Sequence, residues 1–292
     1  MALTTTTRAA AGVALTLLLS LTACGSTTTE YVTVTAPEST FLVEYLPGTT
    51  GAVAGKSTFQ LRVRKRADYL PATGLAITVK PVMTMPTYDH AAPADLVTES
   101  ATPGTYDGAV YYQMASGAGM GYWELTVTIG AESVTFVPSV AMAMGSDTVK
   151  ANLWGVTDAA VPDTASTKYV IFKDGPLGAA AGSLKLYVSR AEDSMMTFKP
   201  VSAGSALGGP TGVVSSVSLT AYAATDTAFA TPLVAVDSGH GHWSVDVSSL
   251  GLTAGAQATV NLKLKVNGED KTTNGLAPAG ANASVAFKVT PQ

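Results

Sequence analysis

The side chains best suited to chemistry in this 292-residue chain are its nine methionines and three histidines. Met83 and Met85 lie two residues apart in a stretch with strand character, so their thioethers leave the same face, and Pro86 ends the ladder there. His90 follows within a short loop. Thioethers with one imidazole form a soft ligand set suited to Cu(I), which makes Met83, Met85 and His90 the first metal candidates. Paired methionines on one strand face are also ordinary core fillers, so packing remains open beside ligation. Met114 and Met120 bracket a Gly-rich hairpin and read as core or hairpin residues, while Met142, Met144, Met195 and Met196 fall in connecting segments. His240 and His242 flank a glycine, and two imidazoles so spaced can face one divalent ion; a polar turn leading into Trp243 explains the same residues.

The chain has a single cysteine, Cys24. Arg8, the apolar run Ala9 to Leu19 and then Leu21-Thr22-Ala23-Cys24 resemble the signal peptide and lipobox of bacterial lipoprotein precursors. The run is too short to span a bilayer. The resemblance implies cleavage before Cys24, lipidation of its thiol and acylation of the new amino terminus, an anchor with enough acyl chains to be stable. The localisation it implies is the cell envelope, facing the periplasm or the exterior. Gly25 after the lipid cysteine permits outer-membrane sorting. A lipidated Cys24 leaves no thiol for disulfides, zinc or nucleophilic catalysis.

No nucleophile elbow, Walker loop or H-E-x-x-H motif is present, and three histidines leave few bases. The expectation is a protein without enzymatic activity. Charged residues are 13% of the chain, and the formal net charge is −4. That is well below the usual share of about 25%, and no clustered basic face suggests a nucleic-acid partner. The one basic run, Arg62 to Arg66, alternates with strand period and reads as a solvated strand face.

Elements able to position these residues are short strand-like runs separated by Gly, Pro, Asp and Asn, with almost no helical periodicity. One set runs from Phe41 to Val137 and a second from Lys168 to Val289. The two sets align as an internal repeat. Ser57 to Asp68 matches Gly182 to Asp193, Ala76 to Thr87 matches Ser216 to Thr227, and Tyr106 onward matches Trp243 onward. In the second copy Ala223, Thr225 and Ala230 stand where the first has Met83, Met85 and His90, so the soft donors belong to one copy only. The expected organisation is all-β, with two immunoglobulin-like β-sandwiches in tandem: a signal peptide (1–23), a Thr-rich tether (24–38), a first sandwich (39–143), a linker (144–167) and a second sandwich (168–292).

Three segments carry a further resemblance: Met83-x-Met85-Pro86 with His90, Gly104-x-Tyr106-x-Gly108, and Gly121-x-Trp123-x-Leu125. Together they resemble the YtkA-like domain family, related to FixH-type proteins of bacterial envelopes, over roughly residues 40 to 138. The resemblance implies an immunoglobulin-like sandwich exposed outside the cytoplasm, linked to copper or cation handling and without catalysis. The expected partners are the membrane, through Cys24, and a copper ion or an envelope protein. The rival expectation is a structural or adhesive surface lipoprotein presenting loops to a protein or glycan.

Overall fold

A computed structural model of the chain describes residues 31–32, 38–157, 167–178, 182–208 and 211–292. The expected signal peptide, Cys24 and nearly all of the expected tether lie outside the described residues. Among those described the protein is all-β, with short 3₁₀ turns and no α-helix. No helix there is long and apolar enough to cross a membrane.

Strands up to residue 141 pair only among themselves, as do strands from residue 150 onward, which defines two units. In the first, one sheet runs in the order Tyr31–Val32, Phe41–Pro47, Gly55–Lys65, Thr105–Tyr112, Thr98–Glu99. A second sheet runs Glu132–Phe136, Tyr122–Ile129, Ile77–Thr84, Asp89–Ala91. The second unit repeats this plan. Lys150–Trp154, Lys168–Lys173, Ser183–Glu192, His242–Asp246 and Val236–Gly239 form one sheet, while Leu233–Val234, Val217–Ala223 and Ala258–Val266 continue into Val285–Val289 in the other. All three segment pairs matched in the sequence occupy corresponding strands. The segment 150–154, expected in the linker, is instead a strand of the second unit, pairing in register with 168–172. Trp154 is tied there by reciprocal backbone bonds to Thr272.

Alternation explains most of the packing. Along Gly55–Lys65, Phe59, Leu61 and Val63 point inward while Arg62 and Arg64 point out to Glu44, as the basic run predicts. The first core joins Val43, Phe59 and Leu61 of one sheet to Met83, Trp123 and Leu125 of the other. The second joins Leu184, Leu186 and Trp243 to Leu219, Leu262 and Phe287. Each fully buried large apolar side chain contributes roughly 1.5–3 kcal/mol.

Alternation fails in a few strands. Residues 109–112 are all buried, as are 169–172 and 186–192. These strands are covered on both faces: one faces its own core and the other faces the opposite unit, where Tyr111 packs with Val170, Phe172 and Tyr187.

Candidate functional site

The strand Ile77–Thr84 lies between its two neighbours so that Met83 faces His90 on one side and Trp123 on the other. Directly opposed residues point to the same face, so all three side chains form a row under the first sheet. Met83 and Trp123 are fully buried and His90 nearly so. The His90 ring meets Trp123 edge-on, with centroids 5.2 Å apart, and its Nδ1 lies 3.0 Å from the Ala91 carbonyl oxygen. A proton on Nδ1 would be donated there, leaving Nε2 as the basic nitrogen. Burial holds this imidazole below its ordinary pKa, and the charges of Lys150 and Lys168 push it the same way. A neutral ring is the form that ligates soft metals.

Met85 lies beyond the end of this ladder, where its N–H reaches Asp89 Oδ1 at 3.4 Å. It is only partly buried and lines a cleft of about 610 Å³ together with Pro86, Gly121, Tyr122, Val137 and Pro138. Tyr122 is 48% exposed, and Tyr88, Met120 and Val137 are exposed as well. Gly121 shapes the cleft floor. Its φ is +114°, and a Cβ there would stand 2.2 Å from the Thr84 carbonyl oxygen.

The structure places the other methionines apart from this row. Met114 packs partly against the core, and its carbonyl oxygen accepts the Trp123 indole N–H at 3.0 Å. Met142 and Met144 are exposed. Asp193, Ser194 and Met195, all at positive φ, form a turn beside the strand Asp89–Ala91. That contact brings this turn of the second unit against the strand that carries His90.

His240 is exposed at positive φ, while His242 begins a strand and turns toward the other unit. Its Nδ1 lies 3.0 Å from Asp174 Oδ2 and its Nε2 3.0 Å from Asp95 Oδ2. With both nitrogens held by carboxylates, His242 does not join His240 around a shared ion in this arrangement. Among the described residues, no group of three or more His, Cys, Asp or Glu side chains has the arrangement of a metal site. Asp174 also accepts from the Tyr111 hydroxyl at 2.6 Å and pairs with Lys56 Nζ at 2.7 Å. Tyr111 stacks flat on Tyr187, with centroids 4.0 Å apart. A four-charge cluster with an aromatic stack therefore fastens the two units together.

The hydrogen bond to Asp174, backed by the one to Asp95, raises His242 to about 9. Burial opposes ionisation of Asp174, but the bonds from His242, Lys56 and Tyr111 outweigh it and lower its pKa to about 2. Asp95 is lowered too: burial raises it, but the bonds from His242 and the Leu96 N–H, with the His242 charge, together outweigh burial. No motif marks this cluster in the sequence, because Asp95 and Asp174 come from distant loops. The usable signal was the unbroken apolar runs Ala109 to Tyr112 and Tyr169 to Phe172, which mark strands covered on both faces.

The fold defines an all-β protein of two similarly wound units joined across a seam, with one apolar cleft at a loop end of the first. No protein-family model and no characterised protein matches the chain.

Proposed function

We propose that the protein is a non-enzymatic binding module of the bacterial cell envelope, anchored through a lipid on Cys24, which engages a protein partner at the cleft between Met85 and Tyr122. The observation that carries this reading is the cleft itself: about 610 Å³, lined by methionine, proline, valine and tyrosine side chains at a loop end, with Tyr122 half exposed. Clustered exposed apolar and aromatic groups at a concave site are the usual substrate of recognition, since their burial supplies most of the binding energy. The anchor rests on the residues from Arg8 to Cys24. A photo-crosslinking residue at Tyr122 or Val137 is expected to give a discrete protein adduct in cells that the same residue at Leu276, exposed on the second unit, does not. Equal adducts at all three positions, or none in the cleft, would remove this reading.

A second reading is favoured by the row Met83, His90 and Trp123. Met83 and a neutral His90 are cross-strand neighbours, Met85 opens the same end to the cleft, and an indole ring stands beside them. Two thioethers and one imidazole are a donor set suited in kind to Cu(I), and the partial likeness of these segments to YtkA-like domains supports the same reading. In competition with a chromogenic Cu(I) chelator, the wild type is expected to retain one ion that the Met83→Leu, Met85→Leu, His90→Ala triple variant releases. Equal retention by the two proteins ends the copper reading and leaves Met83 as a core residue. The swaps to leucine nearly conserve volume and cost under about 1.5 kcal/mol per site; His90→Ala opens a cavity beside Trp123, so circular dichroism of the variant accompanies the titration.

A further inference from the structure

The seam between the units holds a second constellation, separate from the His242 cluster. On the outer face of the second unit, Lys150, Phe172 and Tyr187 form one cross-strand row and Asn152, Val170 and Ser189 the next. Lys168 lies on the same face, opposite Trp154. From the first unit Gln113 reaches into this face, its Oε1 accepting from Lys150 Nζ at 3.3 Å.

Several groups here lack what burial demands. Gln113 is 6% exposed and Ser189 fully buried, yet Gln113 Nε2 and Ser189 Oγ have no hydrogen-bond partner. Asn152 Oδ1 is also buried and unpartnered; rotating that amide would present its NH₂ group instead. Lys168 Nζ has no hydrogen bond or ion pair among the described residues, and Lys150 has no carboxylate partner. An unsatisfied buried donor costs roughly 1–3 kcal/mol, and unpaired half-buried cations cost more. A native seam does not ordinarily retain so many unmet donors on one patch.

We propose that this patch is a binding site for a small oxyanion, held by the Lys150 and Lys168 ammonium groups, the Gln113 amide and the Ser189 hydroxyl. Every unmet group named is a donor or, for Asn152, becomes one by an amide flip. Among the described residues no carboxylate forms an ion pair with Lys150 or Lys168. Burial, with the neighbouring Lys168 charge, drops Lys150 to about 8, and burial lowers Lys168 as well. Both ammonium groups gain from an arriving negative charge. Because Gln113 belongs to the first unit and the lysines to the second, the anion also bridges the seam.

Thermal unfolding of the full chain in phosphate, sulfate or acetate, against chloride at matched ionic strength, tests the site. The wild type is expected to show a saturable rise in Tm with at least one of these oxyanions. Saturation with phosphate or sulfate alone identifies a tetrahedral dianion, and saturation with acetate as well identifies a carboxylate-bearing ligand. Lys168→Met is expected to weaken that response by about tenfold or more, the worth of one charge-assisted bond. In chloride alone it should be no less stable than wild type, since it removes an unpaired cation. Gln113→Leu, which leaves both charges in place, should weaken the same response, while Lys80→Met on an exposed strand position should not. A Tm that follows ionic strength without saturating, or Lys168→Met and Gln113→Leu variants that respond as the wild type does, overturns the proposal and leaves ordered water as the partner of these donors.

Discussion

Asp174→Ala is expected to destabilise the protein by about 3–5 kcal/mol, the usual cost of removing one partner from a buried ion cluster. The side chain accepts from Tyr111, pairs with Lys56 and holds one nitrogen of His242. Its loss strands one cation and a buried hydroxyl at the seam. The same cluster sets a pH window. His242 is raised from 6.5 to about 9 in the folded chain, so the stability it contributes is fully present below pH 6.5 and lost as pH rises through about 9. Asp174 is lowered from 3.8 to about 2, so its contribution is present above pH 3.8 and lost as pH falls through about 2. Each step is worth on the order of 2 kcal/mol once the partial exposure of His242 and the coupling between the groups are discounted. Chemical denaturation across the range should show a plateau between pH 4 and 6.5 in this contribution, with an alkaline decline. In Asp174→Ala that decline should shrink without vanishing, because Asp95 still holds the other nitrogen. A variant within about 1 kcal/mol of wild type, with an unchanged alkaline slope, would show that the cluster does not fasten the seam.

Gly121→Ala should cost about 2–4 kcal/mol for two reasons that add. The backbone there sits at φ +114°, which side-chain-bearing residues rarely adopt, and the new methyl would meet the Thr84 carbonyl oxygen at 2.2 Å. Thr84 is the last paired residue of the strand that carries Met83. Relief of the clash must therefore push apart the strand ends that frame the cleft. The unfolding midpoint in guanidinium should fall with an unchanged slope, and crosslinking from Tyr122 should fall with it. Gly119→Ala makes a fair comparison: its φ is also positive, at +77°, but a Cβ there meets nothing within 4 Å. Equal losses in the two variants would assign the whole effect to backbone conformation and none to the contact with Thr84.

Much of the fold was legible in the sequence because it depends on local rules. Alternating residues such as Phe59, Leu61 and Val63 announce a half-buried strand wherever they occur, and glycines and prolines mark the ends. The strand at 150–154 was missed because its face carries Lys150 and Asn152, which read as linker until the seam that partly buries them is known. At the candidate site, strand period put Met83 and Met85 on one face with His90 in a following loop, but the pairing of His90 with Met83 in a strand of its own came only with the fold. The row's third member, Trp123, depended on register with a strand forty residues away. The His242 cluster and the lysine patch were out of reach for the same reason: their members meet only through packing between units, and neither pattern nor spacing encodes that.

The likeness of the two units bears on how the seam ends. Tyr187 and Ser189 of the second unit stand where the first has Arg62 and Arg64, by the same offset that aligns Leu186 with Leu61. One unit therefore offers an outer face on which Val170, Phe172 and Tyr187 dock, and its counterpart offers arginines paired with Glu44. A head-to-tail contact between repeated modules is in principle open-ended, since each added copy exposes the same face again. In the first unit guanidinium groups paired with Glu44 stand in place of that surface, whereas a copy carrying tyrosine and serine there would repeat it.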